Sequence, residues 1–136
     1  MKAIQFSYFL LALSLFAVLP NISLAKDWDG YAVVRAAYQL KNEASNLDHL
    51  IRADDSADDV IVGLSELFTS ATEDFSQKVN YLSESPAATM DDFNALMDLF
   101  HSFKHALEEK APNETIVTAF DKAHEKMHEL KEFYHQ

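Results

Sequence analysis

VVRAAYQLKNEASNLDHLI, residues 33–51, is the stretch that decides the fold. Within it Val33, Ala37, Leu40, Ala44, Leu47 and Ile51 recur at spacings of 4, 3, 4, 3 and 4. Side chains at those intervals share one face of a helix, because about 3.6 residues complete a turn. The residues between them are largely polar or charged, so the segment predicts an amphipathic helix over about 28–53 with one face turned to a core.

Reading on toward the C-terminus, Asp54-Asp55-Ser56-Ala57-Asp58-Asp59 supplies a turn and then an acidic first turn for a second helix. Carboxylates are favoured there because they meet the positive end of the helix dipole. Val60, Leu64, Leu67, Phe68, Ala71, Phe75, Val79 and Leu82 carry that second helix, and residues 83–88, with Pro86, read as a connection. Thr89, with Asp92 three residues on, looks like a capping box that opens a third helix with the inner stripe Phe93, Leu96, Phe100, Phe103 and Leu107. Ala111-Pro112-Asn113 stops it. Asn113 is the expected N-cap of a fourth helix on Ile116, Phe120, Ala123, Met127, Leu130 and Tyr134, again spaced 4, 3, 4, 3 and 4. The chain has only two glycines, and Pro86 and Pro112 are the only prolines beyond residue 20. Helix breakers are therefore confined to the connections. Four helices of similar length on short loops predict an all-α, antiparallel up-down-up-down four-helix bundle.

Toward the N-terminus the character changes. Lys2 is followed by an apolar run from Phe6 to Leu19, and Ser23-Leu24-Ala25 has the small residues of a cleavage site. Residues 1–25 read as a cleaved secretory signal peptide and 26–136 as one domain, with a periplasmic address. The apolar run is shorter than the roughly 18–20 residues of a membrane span, so no membrane association is expected after cleavage. The absence of cysteine rules out disulfides, covalent attachment of haem through sulfur and a lipid anchor on cysteine. A net charge of −11 argues against nucleic acid or anionic lipid as partners. It serves solubility first and docking onto a basic partner second.

The chain has no P-loop, dinucleotide fingerprint, nucleophile elbow or HExxH motif, so it is not expected to be an enzyme. Glu125 and His128, like Glu132 and His135, have the Glu-x-x-His spacing of di-iron sites, but both pairs fall on the fourth helix and no facing helix answers them. His101 with His105, and His124 with His128, are spaced i, i+4 and share a helix face, as a chelating pair must. They lie off the apolar stripes, toward solvent, which fits a weak, adventitious metal site better than a built one. His135 is one step off the stripe of the fourth helix, on the line Val117, His124, His128, Lys131, His135 that borders its apolar face.

At this point the chain resembles the cytochrome b-562 family of small exported four-helix bundles with one non-covalent haem. Tyr134-His135-Gln136 is similar to the family's Tyr-His-Gln near the C-terminus, with Val117 at a matching distance before it. Met90-Asp91-Asp92-Phe93 resembles its Met-Lys-Asp-Phe, with Ser85-Pro86 ahead and Ala106-Leu107 behind. The junction from Ala53-Asp54 through Val60 to Leu64 is similar with one extra residue. The resemblance implies haem b held by His135 as axial ligand to the iron, Phe93 lining an apolar pocket, Lys131 standing where the family can place a cation for the propionates, and redox proteins as partners of a monomer. The family's second axial ligand is a Met on the first helix, and that position carries over to Leu40, which has no lone pair to give. Three readings follow: a haem-binding electron carrier, a cofactor-free bundle that binds a partner or answers stress, and a His-rich metal buffer.

Overall fold

The structure is a computed structural model that describes residues 27–110 and 112–134. The signal-peptide reading of 1–25 and the ligand role of His135 therefore lie outside the described residues. Four helices account for the fold: α1 (Gly30–Arg52), α2 (Asp59–Tyr81), α3 (Met90–Lys110) and α4 (Glu114–Tyr134), with a single 3-10 turn (Pro86–Ala88) between α2 and α3. None of the described helices is long and apolar enough to cross a membrane.

Three of the four helices start where a side chain takes an orphan backbone N–H. Asp29 accepts from the Ala32 amide at 3.2 Å, Asp58 from Ile61 at 2.9 Å and Asn113 from Ile116 at 2.9 Å. Asp29 holds the start of α1 at Gly30, two residues later than the apolar pattern suggests, and frees Trp28 to fold over the end of the bundle. Thr89 departs from the expected capping box. Its hydroxyl lies 2.7 Å from the Tyr134 hydroxyl, and Asp92 instead binds Lys78 of α2 at 2.9 Å.

The chain reverses at every connection, forming an antiparallel four-helix bundle. The start of α2 meets the end of α3 in the Asp58–Lys110 ion pair at 3.0 Å, and the end of α2 meets the start of α3 through Lys78 and Asp92. Lys126 of α4 donates to Gln39 of α1 at 2.8 Å, closing the ring of helices.

The stripes expected on α1, α3 and α4 are all buried, residue for residue. Helix α2 differs. Its buried face is Ile61, Ser65, Phe68, Thr72, Phe75 and Val79, while Val60 and Leu82 are exposed and Leu67 keeps 58% of its surface in solvent. A hydrophobicity pattern misses this face because two of its members are hydroxylated. Their polarity is met locally: Ser65 donates to Asp48 of α1 at 2.7 Å and Thr72 to the Thr69 carbonyl at 2.8 Å. No buried side-chain nitrogen or oxygen among the described residues lacks a partner.

Two kinds of seam result. Between α1 and α4, Ala36, Ala37, Ala44, Ala119 and Ala123 are all buried, and such small side chains let the backbones approach closely. Between α3 and α4 the backbones stand further apart and rings fill the gap. Phe100 stacks on Phe120 at 5.1 Å, and Phe103 meets Phe120 edge-on at 5.8 Å. Phe68 of α2 packs on both Phe100 and Phe103 from beneath.

Candidate functional site

The end of the bundle at which α4 finishes is an aromatic cluster drawn from α2, α3, α4 and the segment just before α1. Tyr134 is its centre. The ring stacks on Phe93 of α3 with centroids 4.4 Å apart and planes within 6°. Phe75 of α2 approaches both rings at about 6 Å, and Trp28 meets Tyr134 edge-on at 5.2 Å. Such offset and edge-on pairs each add about 0.5–1.5 kcal/mol beyond the area they bury. The Trp28 indole N–H donates to the Ser83 carbonyl at 2.9 Å, which ties the start of α1 to the connection between α2 and α3. Burial pushes the Tyr134 hydroxyl up to about 12, against the opposing effect of its hydrogen bond with Thr89.

Beside this cluster, on the α3–α4 side, lies a groove of about 240 Å³ lined by Phe93, Asn94, Met97, Asp98, Lys131 and Tyr134. The structure thus brings together Phe93 and Lys131, two of the three residues that the sequence nominated. The third, His135, follows Tyr134 directly in sequence. Phe93 is 3% exposed and offers the groove an edge, because Tyr134 covers one of its faces. Lys131 is exposed at the rim. Met97 is the residue that sequence reasoning missed. The family resemblance points to a thioether on α1 alone, whereas Met97 stands on α3 four residues after Phe93, one turn along the same face.

Leu40 is elsewhere. It is fully buried in the core of α1 among the stripe residues, and its side chain has no atom able to bind a metal. The histidine pairs are where their offset from the stripes puts them. His101, His105, His124 and His128 are exposed; His105 lies 3.3 Å from Glu109 and His128 3.7 Å from Glu132, each on its own helix. His124 rests against the Phe100 ring at 5.4 Å. Among the described residues no three His, Asp or Glu side chains converge as a metal site.

Tested against a haem, the groove fits in chemistry on one side. It offers an apolar wall from Phe93 and Tyr134, a thioether from Met97 and an ammonium from Lys131 that suits a propionate. At about 240 Å³ it seats part of a tetrapyrrole face and does not enclose one, since enclosing pockets run from about 300 to 1,000 Å³.

The fold and this end of the molecule define the chain as an antiparallel four-helix bundle closed by an aromatic cluster with a groove at its side. Comparison with family models, with curated proteins and with solved structures gives no match.

Proposed function

We propose that this chain is a periplasmic haem-binding electron-transfer protein of the cytochrome b-562 kind. One observation carries the reading: Phe93 and Lys131, both nominated by the family resemblance, line a single groove beside Tyr134, and the next residue is His135. His135 would bind the iron, Phe93, Met97 and Tyr134 would provide the apolar wall, and Lys131 would neutralise a propionate. Bound haem would supply the one-electron chemistry. The bundle's part is to hold the ligand, to lower the local dielectric and to present an acidic surface to a basic redox partner.

The test is an absorption spectrum of protein purified after export and titrated with haemin. The expected result is a sharp Soret band at one haem per chain, lost in His135→Ala and shifted but retained in Lys131→Gln. Wild-type protein without a Soret band overturns the proposal.

A second reading rests on Leu40. Its complete burial, together with the close alanine seam between α1 and α4, favours a cofactor-free bundle acting through its surface. That reading expects a helical protein indifferent to haemin, so the same titration separates the two.

A further inference from the structure

A second groove, of about 510 Å³, runs along the outside of α1 and α2 and shares no residue with the groove at the end of α4. Its α1 wall is a repeating pair of ring and cation. The Arg35 guanidinium lies over the Tyr31 ring at 5.4 Å, and the Lys41 ammonium lies over the Tyr38 ring at 4.4 Å. Tyr31 is 75% exposed and Tyr38 53% exposed. Tyrosine at this exposure buries little ring area in the core, so folding alone does not explain two of them on one line. Arg52, Lys78, Lys110 and Lys126 are each neutralised by a carboxylate. Arg35 and Lys41, like Lys104, Lys122 and Lys131, form no ion pair among the described residues, but of these five only Arg35 and Lys41 lie over exposed rings.

The α2 wall is different in kind. Ser76, Gln77 and Asn80 offer a hydroxyl and two amides, each able to donate and accept, and Glu73 is the single carboxylate.

We propose that this groove binds a short acidic oligosaccharide, a chain of pyranose rings bearing carboxylates. The apolar C–H face of a pyranose packs on the electron-rich face of a tyrosine ring. Tyr31 and Tyr38 are seven residues apart, about 10 Å along the helix axis, which is close to the span of two linked sugars. Arg35 and Lys41 then meet the carboxylates, with the Arg fork able to bind one in two places. The amides of Gln77 and Asn80 read hydroxyls from the other side. Single-stranded nucleic acid also uses rings and cations. Both ligands bring one negative charge per unit, so charge does not separate them; the single strand is the poorer occupant because a stacked deoxynucleotide has few hydroxyls to meet the hydroxyl and two amides of the α2 wall.

The test is calorimetric titration and NMR mapping of the folded exported protein with three probes: a short oligogalacturonate, a neutral galactose oligomer of the same length, and a short oligothymidylate. The oligogalacturonate is expected to bind and to move the side-chain amide signals of Gln77 and Asn80. Tyr38→Ala, and separately Arg35→Gln with Lys41→Gln, should each weaken binding by about tenfold or more, and the neutral oligomer should bind more weakly than the acidic one. Arg35 and Tyr38 are exposed and Lys41 is half-buried outside the core, so circular dichroism should show an unchanged helical fold. The proposal is overturned by no binding of the oligogalacturonate, by binding that survives these substitutions or moves other signals, or by tighter binding of the oligothymidylate.

Discussion

At the scale of single residues, Tyr134 does more than fill space. Its ring is clamped between Phe93 and Trp28, and its hydroxyl is held by Thr89 at 2.7 Å in a buried setting. The neutral phenol is favoured there, so its folded value of about 12 stands above the ordinary tyrosine value near 10. A group whose value is raised on folding contributes stability below its unfolded value and loses it as pH climbs through the folded one. Urea midpoints should therefore hold steady up to about pH 10 and fall between about 10 and 12. Tyr134→Phe should be less stable near neutrality by about 1 kcal/mol, for the lost hydrogen bond, yet show a shallower alkaline decline. An equal decline in both proteins would place the alkaline titration on other groups. Tyr134 itself was legible as the last member of a stripe. Its partner Thr89, 45 residues away, was not, because periodicity reports which side of a helix faces inward and says nothing of what it meets there.

At the scale of elements, the start of α1 and the connection between α2 and α3 are fitted to each other. A methyl group on Gly30 would come within 2.3 Å of the Ser83 carbonyl oxygen, the same oxygen that accepts from Trp28. Gly63, inside α2, has nothing within 4 Å of that position. The two glycines of the chain should respond with opposite signs. Gly30→Ala is expected to lose about 1–3 kcal/mol, because backbone atoms must shift to admit the methyl. Gly63→Ala should gain about 0.5–1 kcal/mol, because alanine loses less entropy in a helix. Urea denaturation of both variants checks this, and a stabilised Gly30→Ala would show that the junction is looser than described. Three of the four helical faces could be read from apolar spacing alone. Helix α2 could not, because Ser65 and Thr72 occupy inward positions and Val60 and Leu67 outward ones. Hydroxyls that bond to Asp48 or to their own backbone can enter a core that a hydropathy pattern would close to them. The groove at the end of α4 was half legible. Phe93 and Lys131 followed from motif position, whereas Met97 becomes visible only when α3 is laid beside α4.

At the scale of the whole molecule, charge sets the balance. Exposed ion pairs such as Lys78–Asp92 and Lys110–Asp58 contribute little each, because water and side-chain entropy offset their attraction, and they weaken in salt. Against them stands the mutual repulsion of a surface with a net charge of −11. Salt screens both, with a Debye length of about 10 Å at 0.1 M, but repulsion acts among many more charges than the few pairs. Sodium chloride should accordingly raise Tm, by about 4 °C or more for each kcal/mol of repulsion relieved. A Tm that falls with salt would show that the ion pairs outweigh the repulsion. The same field bears on function: it favours encounter with basic partners and leaves Arg35 and Lys41 as a local exception on α1.

Trp28 is the only tryptophan in the chain, and it sits at 5.2 Å from Tyr134 at the end of the bundle. Nature has thereby placed one fluorophore beside the groove at issue. Its emission reports on this end of the molecule alone, shifting to the red when the cluster opens. A bound porphyrin, which absorbs in the same region, would extinguish it through energy transfer. Unfolding and pigment loading can be followed as colour and intensity of a single native signal, with no label attached.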